Sequence, residues 1–241
     1  MVYVNGDSYC VTSDGKKYSD FLGEKLQCSV VNNAIGGSSN ARILRTSLRD
    51  LMVLKKKYAN IVAVVSLSYI IRTEVWDPNI KNNRFINDGE FTSITPTHLK
   101  NWFFDLQNSV TSEYKDFSKQ FLINYNVEAE TIKLLQSIIL FSTWCKYNNI
   151  KSIIFSGPLQ EKVDFSSPFI QDFYQEFKQD NGIIDIFEFS FTQWCILKGF
   201  KPINANRTQH IHDKVYDVGH HGQAAHEAFA NFLLEEHLNE I

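Results

Sequence analysis

The chain begins Met1-Val-Tyr-Val-Asn-Gly-Asp-Ser-Tyr9, written "MVYVNGDSY". Residues 2–5, "VYVN", read as a buried strand, and Gly6-Asp7-Ser8 ends it in a turn. A serine there gains chemical meaning only with a base, because a serine hydroxyl is a poor nucleophile at neutral pH. Five of the seven histidines lie in "HIHDKVYDVGHHGQAAH" at 210–226. Within it, Asp217 stands three residues before His220. On a turn leading into a helix, that spacing lets the carboxylate reach the imidazole Nδ1 and leaves Nε2 to face a nucleophile.

Outward from the first strand, Tyr18, Phe21, Leu22 and Leu26 share a helical face. "CSVVNNA" at 28–34 reads as a second strand, closed by Gly36-Gly37. Ser39 or Asn40 is placed to cap the next helix, in which Ile43, Leu44, Ser47, Leu48 and Leu51 repeat at helical spacing. "IVAVVSL" at 61–67 is a third strand and "KSIIFSG" at 151–157 a fourth. "IIDIFEF" at 183–189 reads as a short fifth. Helices are expected over 127–147, 168–179 and 223–238. The stretch 76–97 is rich in Asn, Asp, Gly and Pro without a sustained period, and it belongs to an excursion covering about 70–125.

Strands separated by helices predict an α/β fold of three layers, α/β/α, around a mostly parallel five-stranded sheet. The 241 residues read as one domain with that excursion inserted. Sites in such sheets form at the carboxyl ends of strands. This selects Gly6-Asp7-Ser8, Gly36-Gly37-Ser38, Ser66-Leu67-Ser68 and the segment before the last helix.

These blocks together resemble the SGNH hydrolases, also called the GDSL lipase/esterase family. Ser8 of Gly6-Asp7-Ser8 matches the family's nucleophile, and Gly37 of "NNAIGGSSN" at 32–40 matches the glycine whose N–H serves the oxyanion hole. Asp217-Val-Gly-His220 matches the Asp-His pair, and "HHGQAAHEAFANFL" at 220–233 is similar to the family's closing helix. The third block departs. The family ends strand three in Gly-x-Asn-Asp, whereas "VVSLSYIIRTE" at 64–74 puts Ser66 at the Gly and Ser68 at the Asn. A Ser68 hydroxyl has one hydrogen bond to donate in place of the amide, with Asn40 or Arg72 as alternative donors at the cleft. Losing an oxyanion donor costs roughly 100- to 1,000-fold in rate.

The resemblance implies a flavodoxin-like SGNH fold and a serine esterase with the triad Ser8, His220 and Asp217. Its oxyanion hole would comprise Ser8, Gly37 and Ser68, and no cofactor is required. The implied substrate is a small acyl ester, with acetyl on a carbohydrate as the family-level expectation. An acyltransferase and a catalytically weak binding protein on the same fold are the alternatives. Asp7 is structural in this family.

Other residues keep blander readings. Cys10 is expected to be a small buried residue rather than a second nucleophile. Arg72 and Glu74 either form an exposed ion pair or border the cleft. His210, His212, Asp213, His220, His221 and His226 are possible zinc ligands, but His220 is claimed by the triad and no metal is expected. Trp76, Phe85, Phe91, Trp102, Phe103 and Phe104 either pack the excursion or stack on a sugar. A net charge of −3 argues against nucleic acid as a partner. Four widely spaced cysteines and the lack of a signal peptide or membrane-length apolar run predict a cytoplasmic chain without membrane insertion.

Overall fold

The computed structural model describes residues 1–11, 13–76, 87–88, 91–94, 120–121, 123–160, 162–204, 207–211 and 214–239. Among them, four parallel strands form the central sheet: β1 (Val2–Asn5), β2 (Val30–Asn32), β3 (Val62–Leu67) and, after the excursion, β7 (Lys151–Ser156). Their order is β2-β1-β3-β7, with Val4 beside Asn32 and Val64, and Val64 beside Ile153. Three strands fall in the excursion, β4 (Thr73–Trp76), β5 (Asn87–Asp88) and β6 (Phe91–Ile94), and form a small antiparallel sheet ordered β4-β6-β5. The aromatic side chains assigned to the excursion lie outside the described residues.

The helices are α1 (Tyr18–Lys25), α2 (Asn40–Leu54), α3 (Val127–Tyr147), α4 (Pro168–Lys178), α5 (Phe191–Leu197) and α6 (Gln223–His237). Ser39 caps α2 by accepting the Arg42 N–H at 3.2 Å, and Asn126 caps α3 by accepting that of Ala129 at 3.0 Å. The strand period of two divides the apolar side chains between two cores. Tyr3, Ala63, Val65, Leu67 and Ile154 face Ile43 and Leu51 of α2, Leu135, Ile138 and Phe141 of α3, and Ile170 and Phe177 of α4. Val2, Val4, Val62, Val64, Ile153 and Phe155 face Tyr18 and Leu22 of α1, Phe191 and Cys195 of α5, and Phe229 and Leu233 of α6. A sheet covered on both faces needs near-continuous apolar strands, which is what the sequence supplies.

The fifth strand expected at 183–189 is replaced by two isolated parallel bridges to β7, Ile154–Ile183 and Ser156–Ser190. Asp185 diverts the segment. Its side chain accepts the Phe187 N–H at 3.0 Å and its carbonyl accepts the Phe189 N–H at 2.8 Å, so the backbone closes a turn instead of a ladder. A hairpin, β8 (Arg207–Ile211) and β9 (Lys214–Val218), precedes α6. Among the described residues, no helix is long and apolar enough to cross a membrane.

Candidate active site

β1 lies between β2 and β3, so the chain leaves its carboxyl end where successive connections diverge, the usual place for a site in such sheets. Asn5 anchors that end. Its amide donates to the Ile43 carbonyl at 3.1 Å and to Thr46 Oγ1 and Ser47 Oγ at 2.8 and 2.9 Å, and its Oδ1 accepts the Gly6 N–H at 2.9 Å. At Gly6, a Cβ would meet Cys10 Sγ and stand 2.8 Å from the Ser66 carbonyl oxygen, so only glycine fits there. Ser8 then opens a single 3-10 turn, Ser8–Cys10, capped by Asp7 Oδ1 accepting the Tyr9 N–H at 3.1 Å. Ser8 is half-buried.

The loop after β2 continues alongside β1, with the Ile35 N–H donating to the Gly6 carbonyl at 3.1 Å. It turns through Gly37, whose φ of 84° lies in the left-handed region that favours glycine. This brings Gly36 against Ser8, where an added Cβ would stand 3.4 Å from Ser8 Cβ. Gly36 and Ser8 are therefore neighbours.

Asp7 sits beneath the turn, fully buried. Its Oδ2 accepts from Ser68 Oγ at 2.9 Å and from Arg72 Nη1 at 3.1 Å, and Arg72 Nη1 also donates to Ser68 Oγ at 2.7 Å. Burial pushes the Asp7 carboxyl up from its ordinary value, opposed by the Arg72 charge and by hydrogen bonds from Tyr9 and Ser68. This arrangement corrects the expectation for Ser68. A hydroxyl has one proton, and here it goes to Asp7, leaving none for an oxyanion. Asn40 is occupied as well. Its Oδ1 accepts the Ser68 N–H at 2.7 Å, and its Nδ2 donates to the Ser68 and Tyr69 carbonyls at 3.1 and 3.3 Å. Gln160, which no sequence signal marked, donates to the Ser68 carbonyl at 2.9 Å and to Ser156 Oγ at 2.6 Å.

Arg72 and Glu74 both border a cavity, and each is paired elsewhere rather than with the other. Arg72 turns inward to Asp7, and Glu74 is held by Arg45 at 2.9 Å. Asn40 and Arg72 do line a cavity of about 600 Å³ with Leu44, Ile70, Phe141 and Trp144, between α2 and α3. Ser8, Gly37 and His220 are not among its walls.

His220 lies between β9 and α6, with its ring centroid 5.2 Å from that of Tyr9, the residue after Ser8. No hydrogen bond between Ser8 Oγ and His220 is formed among the described residues. Asp217 lies in β9, its backbone opposite Thr208, rather than on a turn, and its side chain falls outside what the structure describes. One partner of the ring is Asn204, whose Nδ2 and Oδ1 lie 3.0 and 3.2 Å from His220 Nδ1. Nothing in the sequence marked Asn204. Asp14 joins the two halves of the site by accepting the Gln223 N–H at the start of α6 at 2.5 Å.

Among the described residues, no three His, Cys, Asp or Glu side chains are grouped to hold a metal. His212 and Asp213 lie outside the described residues, as does the side chain of His210. His226 is buried, stacked on Tyr18 at 5.7 Å, with Nδ1 accepting the Tyr18 N–H at 3.3 Å. Burial pushes the Cys10 thiol up to about 12, which removes it as a nucleophile near neutral pH.

No family model matches the chain, and no curated protein matches it. Solved structures do match. An acetyl xylan esterase is 12% identical with a TM-score of 0.47, covering 98% of each chain. An acetylxylan esterase from Geobacillus stearothermophilus, solved as a catalytic mutant, is 14% identical with a TM-score of 0.41, covering 98% of this chain and 92% of that one. A protein described as a putative lipolytic protein of the G-D-S-L family, from Desulfitobacterium hafniense, is 12% identical with a TM-score of 0.41, covering 97% of each chain.

His221, next to the candidate base, is buried edge-on to Phe191 with ring centroids 5.7 Å apart. Burial, and then the neighbouring His220, lower its pKa from 6.5 to about 4. Between those values the unfolded chain binds a proton that the folded chain refuses, so stability falls as pH drops from 6.5 toward 4 and is unaffected above 6.5. A shift of that size corresponds to roughly 3 kcal/mol. Urea unfolding at pH 7.5 and 4.5 is therefore expected to show wild type losing most of that increment, about 2.5 kcal/mol, relative to His221→Leu. Equal losses in the two proteins would refute the assignment.

Proposed function

We propose that the chain is an SGNH-type serine esterase acting on a small acyl ester. The observation that carries the reading is the meeting of three sequence-distant segments at the end of β1. Ser8 stands on the turn, the Gly36-Gly37 loop packs on its Cβ, and the His220 ring lies against the adjoining Tyr9.

In this reading His220 Nε2 accepts the Ser8 proton as Oγ attacks the ester carbonyl. The N–H groups of Ser8 and Gly37 stabilise the oxyanion, and the negative charge of Asp217 favours the imidazolium. The leaving alkoxide takes the proton from His220, and a water activated by the same ring then hydrolyses the acyl-enzyme. The closeness of the Gly36 backbone to Ser8 favours a short acyl group such as acetyl, and a carbohydrate ester is the first natural substrate to try. With Ser68 Oγ donating to Asp7, the oxyanion is left to the backbone donors, so a modest turnover is expected. That same observation favours, as the second reading, a binding protein on this fold with weak catalysis.

The test is a panel of p-nitrophenyl acetate, longer p-nitrophenyl esters and acetylated xylo-oligosaccharides, each run with wild type and Ser8→Ala. Ser8-dependent release that falls with acyl length supports the esterase. Absence of Ser8-dependent turnover across the panel would leave the binding protein. Acylated sugar formed at the expense of free acid would make the protein an acyltransferase.

A further inference from the structure

We infer that Asn204 is a positioning residue for His220, holding its ring through one amide that matches both protonation states of Nδ1. The inference rests on reading His220 as the base. The amide's orientation follows from chemistry. The His220 backbone N–H donates to Asn204 Oδ1 at 2.7 Å, and a backbone N–H can only donate, so the oxygen must face it. The ring Nδ1 then stands 3.0 Å from Nδ2 and 3.2 Å from Oδ1. When Nδ1 is bare, the amide N–H donates to it, and the ring proton sits on Nε2. When Nδ1 carries the proton, it donates to Oδ1 and Nε2 is bare, ready to accept the proton of a serine. The second bond persists in the imidazolium. Residue 204 therefore bears on the balance between an inactive and an active neutral tautomer.

The contact is built into the backbone. The Ile203 N–H donates to the His220 carbonyl at 2.8 Å, and Pro202 bridges antiparallel to His221. At Gly219, a Cβ would meet the Asn204 carbonyl oxygen and lie 2.9 Å from its carbon, so the glycine is what lets the two segments close. Tyr9 bounds the imidazole from the nucleophile's side. Residues 202–204 thus act as a backing strip for the base.

The experiment is 15N NMR of the His220 ring across pH in wild type, Asn204→Ala and Asn204→Asp, with kcat and KM measured alongside. Asn204→Ala is expected to shift the ring nitrogens toward a different tautomer ratio and to lower kcat by roughly 10- to 100-fold with KM little changed. Asn204→Asp puts a carboxylate beside Nδ1 and is expected to raise the His220 pKa by about 1 unit or more. The acid limb of the kcat profile should move up by the same amount. Ring shifts and titration unchanged in both folded variants would overturn the inference, because a side chain of purely structural value alters Tm alone. Should Asn204→Ala not fold, Asn204→Asp, which keeps the shape and the acceptor for the backbone N–H, decides the matter. If wild type has no Ser8-dependent turnover, the esterase reading fails, while the NMR still decides whether Asn204 governs the ring.

Discussion

Ser8→Ala is expected to lower kcat on p-nitrophenyl acetate by at least roughly 10,000-fold, with His220→Gln in the same range. The size follows from the mechanism. Without Oγ the covalent route is closed, and only whatever the backbone donors and binding contribute to direct attack by water survives. A factor of that order is about 5.5 kcal/mol of transition-state stabilisation. The double variant should be little worse than either single one, because nucleophile and base act as a unit. The fold should be unaffected. The turn is held by the Tyr9 N–H on Asp7 Oδ1, the Cys10 N–H on the Asp7 carbonyl and the Val11 N–H on the Ser8 carbonyl, none of which involves Oγ. Ser8→Ala should therefore unfold within about 0.5 kcal/mol of wild type, as surface-like substitutions do. Turnover retained in a folded Ser8→Ala protein would remove the serine mechanism.

What could be read in the sequence was what local chemistry dictates. The apolar runs gave β1 at Val2–Asn5, β3 at Val62–Leu67 and β7 at Lys151–Ser156, and the period of 3.6 gave α3 at Val127–Tyr147, each close to its expected bounds. Both signals arise from residues adjacent in the chain. "IIDIFEF" failed because its apolar content suits a strand, while one side chain, Asp185, accepts a backbone N–H that a ladder would need. The site divides in the same way. Ser8, the glycine pair and His220 were legible as candidates because strand ends and short spacings mark them. Asn204, Gln160 and Asp14 were not, since an isolated polar residue acquires its role only from what the fold brings to it. Ser68 is the instructive case. Its place after β3 was read from the sequence, but the direction of its single proton depends on Asp7 and Arg72, at the ends of other segments.

The cluster of Asp7, Ser68 and Arg72 sets the second large expectation, for Arg72→Leu. The Arg72 side chain is 9% exposed and that of Asp7 0%, so the pair is almost wholly removed from water. Removing one member of a buried pair strands the other as an uncompensated charge and costs about 3–5 kcal/mol. The direction with pH follows from Asp7. Its carboxyl is already pushed up by burial against the pull of Arg72, and loss of the guanidinium pushes it further. A raised carboxyl pKa in the folded state means stability is lost as pH rises from the unfolded value of 3.8 through the folded one. The deficit of Arg72→Leu should thus be smallest at acid pH and grow as pH rises through the Asp7 titration. Asp7→Asn added to Arg72→Leu removes the stranded charge and should recover much of the loss at pH 7.5, because an amide costs less to bury than a carboxylate. Urea unfolding of the two single variants and the double at pH 4.5 and 7.5 gives the coupling directly. A deficit under 1 kcal/mol at pH 7.5, or a double variant as weak as Arg72→Leu, would mean that Asp7 is held by its other hydrogen bonds and that the ion pair contributes little. If the coupling is found, the buried charge under the Ser8 turn accounts for the serine at position 68. Its short hydroxyl donates to Asp7 while accepting from Arg72, a dual role that an amide can fill only by presenting its nitrogen to the carboxylate and its oxygen to the guanidinium.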